Sequence, residues 1–139
     1  MAFTDSFRKQ HQDILQIAGQ IAEKLKPEQI SKDPKPVRIL LSNLAGKINL
    51  HLAMEDKALY PRLIAVKDAE SGVLARKYMD EMGGLAQVFT TYNGKWQASA
   101  MSADPAGFCR ETQTVFAALG KRIEREDNHL YPLVDKVKL

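Results

Sequence analysis

The chain has a single cysteine, Cys109, in 139 residues, so no disulfide can staple the fold from within. That usage fits a reducing compartment, and a cytoplasmic location is expected. No stretch approaches the run of about 18 apolar residues that a membrane-spanning helix requires. The first dozen residues have no continuous apolar core, which argues against reading them as a signal peptide. No block of five or six like charges occurs, and the net charge of +3 is scattered, so neither nucleic acid nor a membrane surface is an expected partner. Cys-x-x-Cys pairs, a phosphate-cradling glycine loop and a Ser-His-Asp set are all missing. Cys109 is expected to be a packed thiol. Strand-like alternation is missing as well.

What remains is helical periodicity over the whole length, with 45% hydrophobic residues, enough for one domain spanning 1–139 with its own core. Helix 1 is expected from Thr4 or Asp5 to about Lys26, capped by Asp5 or Ser6 and stopped by Pro27. Pro27 to Pro36 reads as a turn. Helix 2 runs from Pro36 to about Val66 with a kink at Pro61. Helix 3 runs from Glu70 to Met101, with Asn93-Gly94 as an early breaking point and Gly83-Gly84 as a place where helices 3 and 4 draw close. Helix 4 starts at Pro105 behind an Asp104 cap and continues to about Lys136. Four long amphipathic helices with short turns predict an all-α, up-down-up-down antiparallel four-helix bundle.

The halves of the chain are related. His-Leu-Ala-Met-Glu-Asp-Lys-Ala-Leu-Tyr-Pro at 51–61 recurs as Arg-Ile-Glu-Arg-Glu-Asp-Asn-His-Leu-Tyr-Pro at 122–132, an offset of 71 residues. Glu55 corresponds to Glu126 and Tyr60-Pro61 to Tyr131-Pro132. His51 corresponds to Arg122, and His11 to Met82, so the second half lacks both histidines of the first.

His11 falls on the apolar stripe between Phe7 and Ile14. His51 and Glu55 share a face at i, i+4, between Ile48 and Leu59, and Glu126 follows Leu119 and Ile123 in the same way. Counting outward from the turns at a constant rise per residue puts His11, His51, Glu55, Met82, Arg122 and Glu126 at one height. Carboxylates do not enter a core unpaired, so something positive must sit beside Glu55 and Glu126. A divalent metal and Arg122 are the two candidates.

The pattern resembles the hemerythrin family, also called HHE cation-binding domains, over nearly the whole chain. His11, the His51…Glu55-Asp56…Leu59-Tyr60-Pro61 run and the Glu126…Leu130-Tyr131-Pro132 run carry the likeness. The resemblance implies a bridged di-iron layer that binds dioxygen or senses oxygen, nitric oxide or iron. His11 and His51 match one iron's histidines, and Glu55 and Glu126 match the bridging carboxylates. The second iron's positions hold Met82 and Arg122, a soft thioether and a permanent cation, neither suited to ligate iron. The expectation is therefore a degenerate second half and a mononuclear metal site of His11, His51, Glu55 and Glu126. Arg122 would stand in for the second ion, with Met82 as an apolar wall. Iron is the favoured ion, and zinc could also accept the set. Tyr78 reads as a core aromatic and His129 as a weak alternative ligand. Glu81 is expected to face solvent. Asp56 and Asp127 are expected to face outward or toward a neighbouring helix. Tyr60-Pro61 and Tyr131-Pro132 are expected to close the bundle end.

The leading functional expectation is a binder or sensor of dioxygen, nitric oxide, redox state or metal, rather than an enzyme. Two alternatives stay open. One is a metal-free bundle acting as a protein-interaction module, with a protein partner or a second copy of itself. The other is a mononuclear non-haem iron oxidase.

Overall fold

The structure, a computed structural model, describes residues 3–64 and 69–136; the side chains at positions 64, 69–71, 75, 82 and 83 lie outside that description. Among the described residues the chain is helical, with no strand. Helix α1 spans Asp5–Glu23, α2 Pro27–Lys32, α3 Lys35–Met54, α4 Tyr60–Ile64, α5 Ala69–Lys95, α6 Ala98–Ala103, α7 Pro105–Arg125 and α8 Tyr131–Lys136. Two π-turns, Glu55–Leu59 and Glu126–Leu130, join α3 to α4 and α7 to α8 without interrupting the rods. The expected helix end at Val66 and the turn beyond it lie outside the described residues.

Several ends follow local chemistry. At α7 the Asp104 carboxylate accepts the Gly107 N–H at 3.0 Å and Pro105 occupies the first helical position. At α1 the expected Asp5 or Ser6 cap is replaced by Thr4, whose side chain does not cap. The Thr4 hydroxyl instead donates to Asp135 at 2.7 Å, and its backbone N–H donates to the same carboxylate at 3.2 Å, tying the start of α1 to α8. Two stretches depart from expectation. Pro27 opens α2, since proline at the first position loses no helical hydrogen bond. Helix α5 ends at Lys95, just past Asn93-Gly94, and a new short helix, α6, follows Trp96-Gln97.

The repeated prolines do more than kink their rods. Pro61 and Pro132 each lack an N–H, and each ring would collide with the carbonyl four residues back. Both helices answer with the same wide turn, in which the Tyr60 N–H bonds to the Glu55 carbonyl and the Tyr131 N–H to the Glu126 carbonyl. In a regular α-helix a residue five positions on lies about 140° around the axis. A turn closed by an i→i+5 bond brings it back over the starting residue. Tyr60 and Tyr131 therefore return to the faces that carry Glu55 and Glu126.

Two apolar clusters fill the interior. One holds Ile14, Ile48, Phe89 and Ile123 and extends to Ile30, Trp96 and Met101, where α2 and α6 pack. The other holds Phe7, Leu59, Tyr60, Tyr78, Leu130 and Tyr131. The polar layer lies at their seam: His11 between Phe7 and Ile14, His51 between Ile48 and Leu59, Glu126 between Ile123 and Leu130. Gly84 does not mark a close helix approach, since a Cβ there would meet nothing. Cys109 is buried, as expected of a packed thiol, and burial pushes its pKa up.

Candidate metal centre

Helices α1 and α3 and the starts of both π-turns bring four polar side chains into the seam. His11 is 1% exposed, His51 3%, and Glu55 and Glu126 are fully buried. The Nε2 atoms of His11 and His51 lie 3.1 Å apart, and Glu126 Oε1 lies 3.1 Å from the first and 3.8 Å from the second. Glu55 Oε2 is 3.4 Å from His51 Nε2. Two nitrogens bound to one ion at about 2.0–2.1 Å, near the tetrahedral angle, stand about 3.3 Å apart, so the donor atoms of His11, His51 and Glu126, all within 4.8 Å of one another, fit a single cation, with Glu55 beside His51.

The outer nitrogens are already committed. His11 Nδ1 is 2.8 Å from Asp127 Oδ1, and His51 Nδ1 is 2.7 Å from Gln10 Oε1. Both partners accept, so each Nδ1 carries a proton, and each ring when neutral turns an Nε2 lone pair inward. This outer support is the usual device for orienting metal-ligating histidines. Arg8 braces it in turn, donating to the Asp127 carbonyl at 3.1 Å and lying 3.8 Å from its carboxylate.

The layer is electrostatically tense. Burial alone would lower the His51 pKa, but Glu126 and Glu55 outweigh it and raise it to about 9. The two carboxyls are coupled. Burial, helped by the neighbouring Glu126, pushes Glu55 up, whereas His11 and His51 overcome the burial of Glu126 and draw it down. Glu55 Oε1 and Glu126 Oε2 are buried with no hydrogen-bond partner. Two orphaned carboxyl oxygens beside two inward imidazole nitrogens make an oxygen-and-nitrogen set that suits iron or zinc once a cation displaces the protons.

Arg122 pairs with a carboxylate other than the two expected. Its Nη2 lies 2.6 Å from Glu81, which was expected to face solvent, and Arg125 reaches the same carboxylate at 3.0 Å. Both guanidinium groups also stand over the Tyr78 ring, at 5.6 and 5.2 Å. Arg122 and Arg125, three residues apart on α7, thus grip Glu81 and Tyr78 of α5. The free oxygens of Glu55 and Glu126 receive no hydrogen bond from Arg122. Tyr78 is a buried core aromatic, as expected, and His129 is exposed on the second π-turn. The Met82 side chain, expected as an apolar wall, lies outside the described residues.

Asp127 takes the second of its expected directions, toward the neighbouring α1, where it holds His11. Two participants were not expected. Gln10 holds His51. Tyr131, taken for a bundle-end residue, puts its hydroxyl 3.2 Å from His11 Nε2, 3.3 Å from His51 Nε2 and 2.9 Å from Glu55 Oε2. Its counterpart Tyr60 buries an unpartnered hydroxyl, and burial together with Glu55 and Glu126 pushes its pKa up. A cavity of about 20 Å³ adjoins the layer, lined by His11, His51 and Glu126 and by apolar residues including Ile48, Ala86, Phe89 and Ile123. That volume admits a water or a diatomic molecule and little more.

The chain matches the family model described as the hemerythrin HHE cation binding domain over residues 2–134, and it belongs to that family. No curated protein and no solved structure matches it.

Proposed function

We propose that this hemerythrin-family domain binds one iron ion through His11, His51, Glu126 and Glu55. Its role would be to bind or sense dioxygen or nitric oxide as a cytoplasmic protein rather than as an enzyme. The supporting observation is the pair of inward Nε2 atoms 3.1 Å apart, each with its other nitrogen already engaged. Two lone pairs repel at that distance unless a proton or a cation lies between them. The scaffold would be an up-down-up-down four-helix bundle. The neighbour pattern supports it: α1 packs on α3, α3 on α5, α5 on α7, and α7 back on α1. Among the described residues no helix is long and apolar enough to cross a membrane.

Iron bound there would supply redox-active coordination of a diatomic ligand. The protein's own contribution would be orientation, through Asp127 and Gln10, and a dry apolar space for that ligand. The size of the cavity favours a binder over an oxidase, since an organic substrate does not fit in about 20 Å³. The engagement of Arg122 with Glu81 weakens the metal-free interaction-module reading, which needed that arginine to neutralise Glu55 and Glu126.

Metal analysis of anaerobically purified protein, combined with melting curves, tests the proposal. One iron per chain and a melting temperature lowered by chelator are expected, because a ligand held only by the folded state must stabilise it. A melting temperature unmoved by excess iron or zinc overturns the metal reading. Two irons per chain overturn the single-ion form of it.

A further inference from the structure

Tyr131 stands where no bundle-end residue needs to be. Its hydroxyl carries one proton, and Glu55 Oε2 is the best-placed acceptor for it, at 2.9 Å. The remaining lone pairs of that oxygen face His11 Nε2 at 3.2 Å and His51 Nε2 at 3.3 Å. Both rings have a proton on the far nitrogen, held by Asp127 and Gln10, and a cation would displace the second proton that His51 turns toward the acids. With that inner proton gone, three acceptor atoms converge, with Glu126 Oε1 beside them, and the phenolic proton is directed elsewhere. Donor atoms arranged in this way are complementary to a cation and not to one another. The ring is fixed as well: it stacks on His11, with centroids 5.2 Å apart at 18°, and the Arg8 guanidinium lies 5.4 Å from its centroid. That guanidinium would offset negative charge on the phenol.

We infer that Tyr131 is a further ligand of the same cation, binding through its phenolate oxygen alongside His11, His51, Glu126 and Glu55. This rests on the metal reading above. On binding, the phenolic O–H bond breaks and the oxygen's electron pair forms the bond to the ion. The proton leaves along the existing hydrogen bond to Glu55 Oε2 and from there to water. A hard anionic oxygen suits ferric iron, and phenolate is an established protein ligand for it. Tyr60, its counterpart in the repeat, has no partner for its hydroxyl and supplies an internal control.

The experiment uses the full chain loaded with ferric iron and reads visible absorption, resonance Raman scattering and iron content together. A phenolate-to-iron charge-transfer band with tyrosinate ring modes is expected. Tyr131→Phe should abolish the band while iron stays bound, and Tyr60→Phe should leave it unchanged. Should Tyr131→Phe fail to fold or to hold iron, the Raman spectrum of the unmodified protein still decides whether a phenolate is bound. Iron bound without tyrosinate modes, or a band that survives Tyr131→Phe, overturns this inference and leaves the metal reading standing. Failure of the unmodified protein to bind iron overturns both.

Discussion

Asp127 accepts the Nδ1–H of His11 at 2.8 Å, and this contact decides which nitrogen of His11 faces Glu126. The same carboxylate is braced by Arg8, so the support runs from the second π-turn back onto α1. Removing it frees the ring to turn or to change tautomer. Asp127→Ala is expected to weaken binding of the first metal equivalent by about 10–100-fold, the usual cost of losing such an outer partner. Asp127→Asn, which can still accept a hydrogen bond, should cost less. Competition titrations with zinc against a chelator of known affinity measure both. An unchanged constant for the alanine variant would show that His11 is oriented by packing alone.

The metal-free protein should lose stability as the solution becomes alkaline. His51 has a folded pKa of about 9 against an ordinary 6.5, so its contribution is complete below about pH 6.5 and disappears as the pH rises through 9. A shift of that size corresponds to about 3 kcal/mol. Glu55 acts in the same direction, because its buried carboxyl resists ionisation. Glu126 acts oppositely, with a depressed pKa whose benefit is lost on acidification. Thermal melts of chelator-treated protein between pH 6 and 9.5 should fall with pH. Added zinc should reverse the trend, since the ion displaces the proton on His51 and binds more tightly as protons become scarce. A flat metal-free profile would mean that His51 is not held protonated by the two acids.

The four side chains of the layer were legible in the sequence because His11 lies in an unbroken helix, and His51, Glu55 and Glu126 come no later than the first residue of the π-turn in their rods. As far as Glu55 and Glu126, every residue advances by the regular helical angle, and the three- and four-residue stripes carry through. Tyr131 lies beyond the second π-turn, where wheel counting fails by most of half a turn. The signal was present, in the form of a proline at the same place in both repeats, but it reads more readily as a kink than as a widened turn. Asp127 was left undecided for a related reason: it follows Glu126 directly, and stripe counting gives no inward role to adjacent residues. The pairing of Arg122 with Glu81 was not legible because height along a bundle is computable from turn centres, whereas the sideways reach of a long side chain is not. The pair Arg122 and Arg125, spaced by three, was the sign that an acid on the neighbouring helix would be gripped.

That grip leads to a prediction at odds with the charge-substitution idea. With Arg122 engaged by Glu81 on α5, its removal should barely alter the first metal equivalent. Arg122→Met is expected to shift zinc affinity by less than about threefold. The variant should lose stability on the order of 1–2 kcal/mol, because Arg125 still pairs with Glu81 while a largely buried contact is gone. Isothermal titration and urea melts separate the two effects. A tightening beyond tenfold would show that the guanidinium charge reaches Glu126 despite its engagement elsewhere.

The small cavity permits a test that leaves every polar residue in place. Ala86 lines it, so Ala86→Leu would push branched carbon into about 20 Å³ that is otherwise open. Overfilling a packed interior costs about 1–3 kcal/mol, which a folded domain of this size can absorb. Iron content should stay as in the unmodified protein, because the donor atoms do not move. Nitric oxide, used as the probe on the ferrous form and followed by electron paramagnetic resonance, should bind at least about tenfold more slowly or not at all. If it binds the filled variant at the original rate, the diatomic ligand reaches the layer by another face. The apolar space beside His11 and His51 would then be a packing gap, and it would no longer argue for a binder over an oxidase.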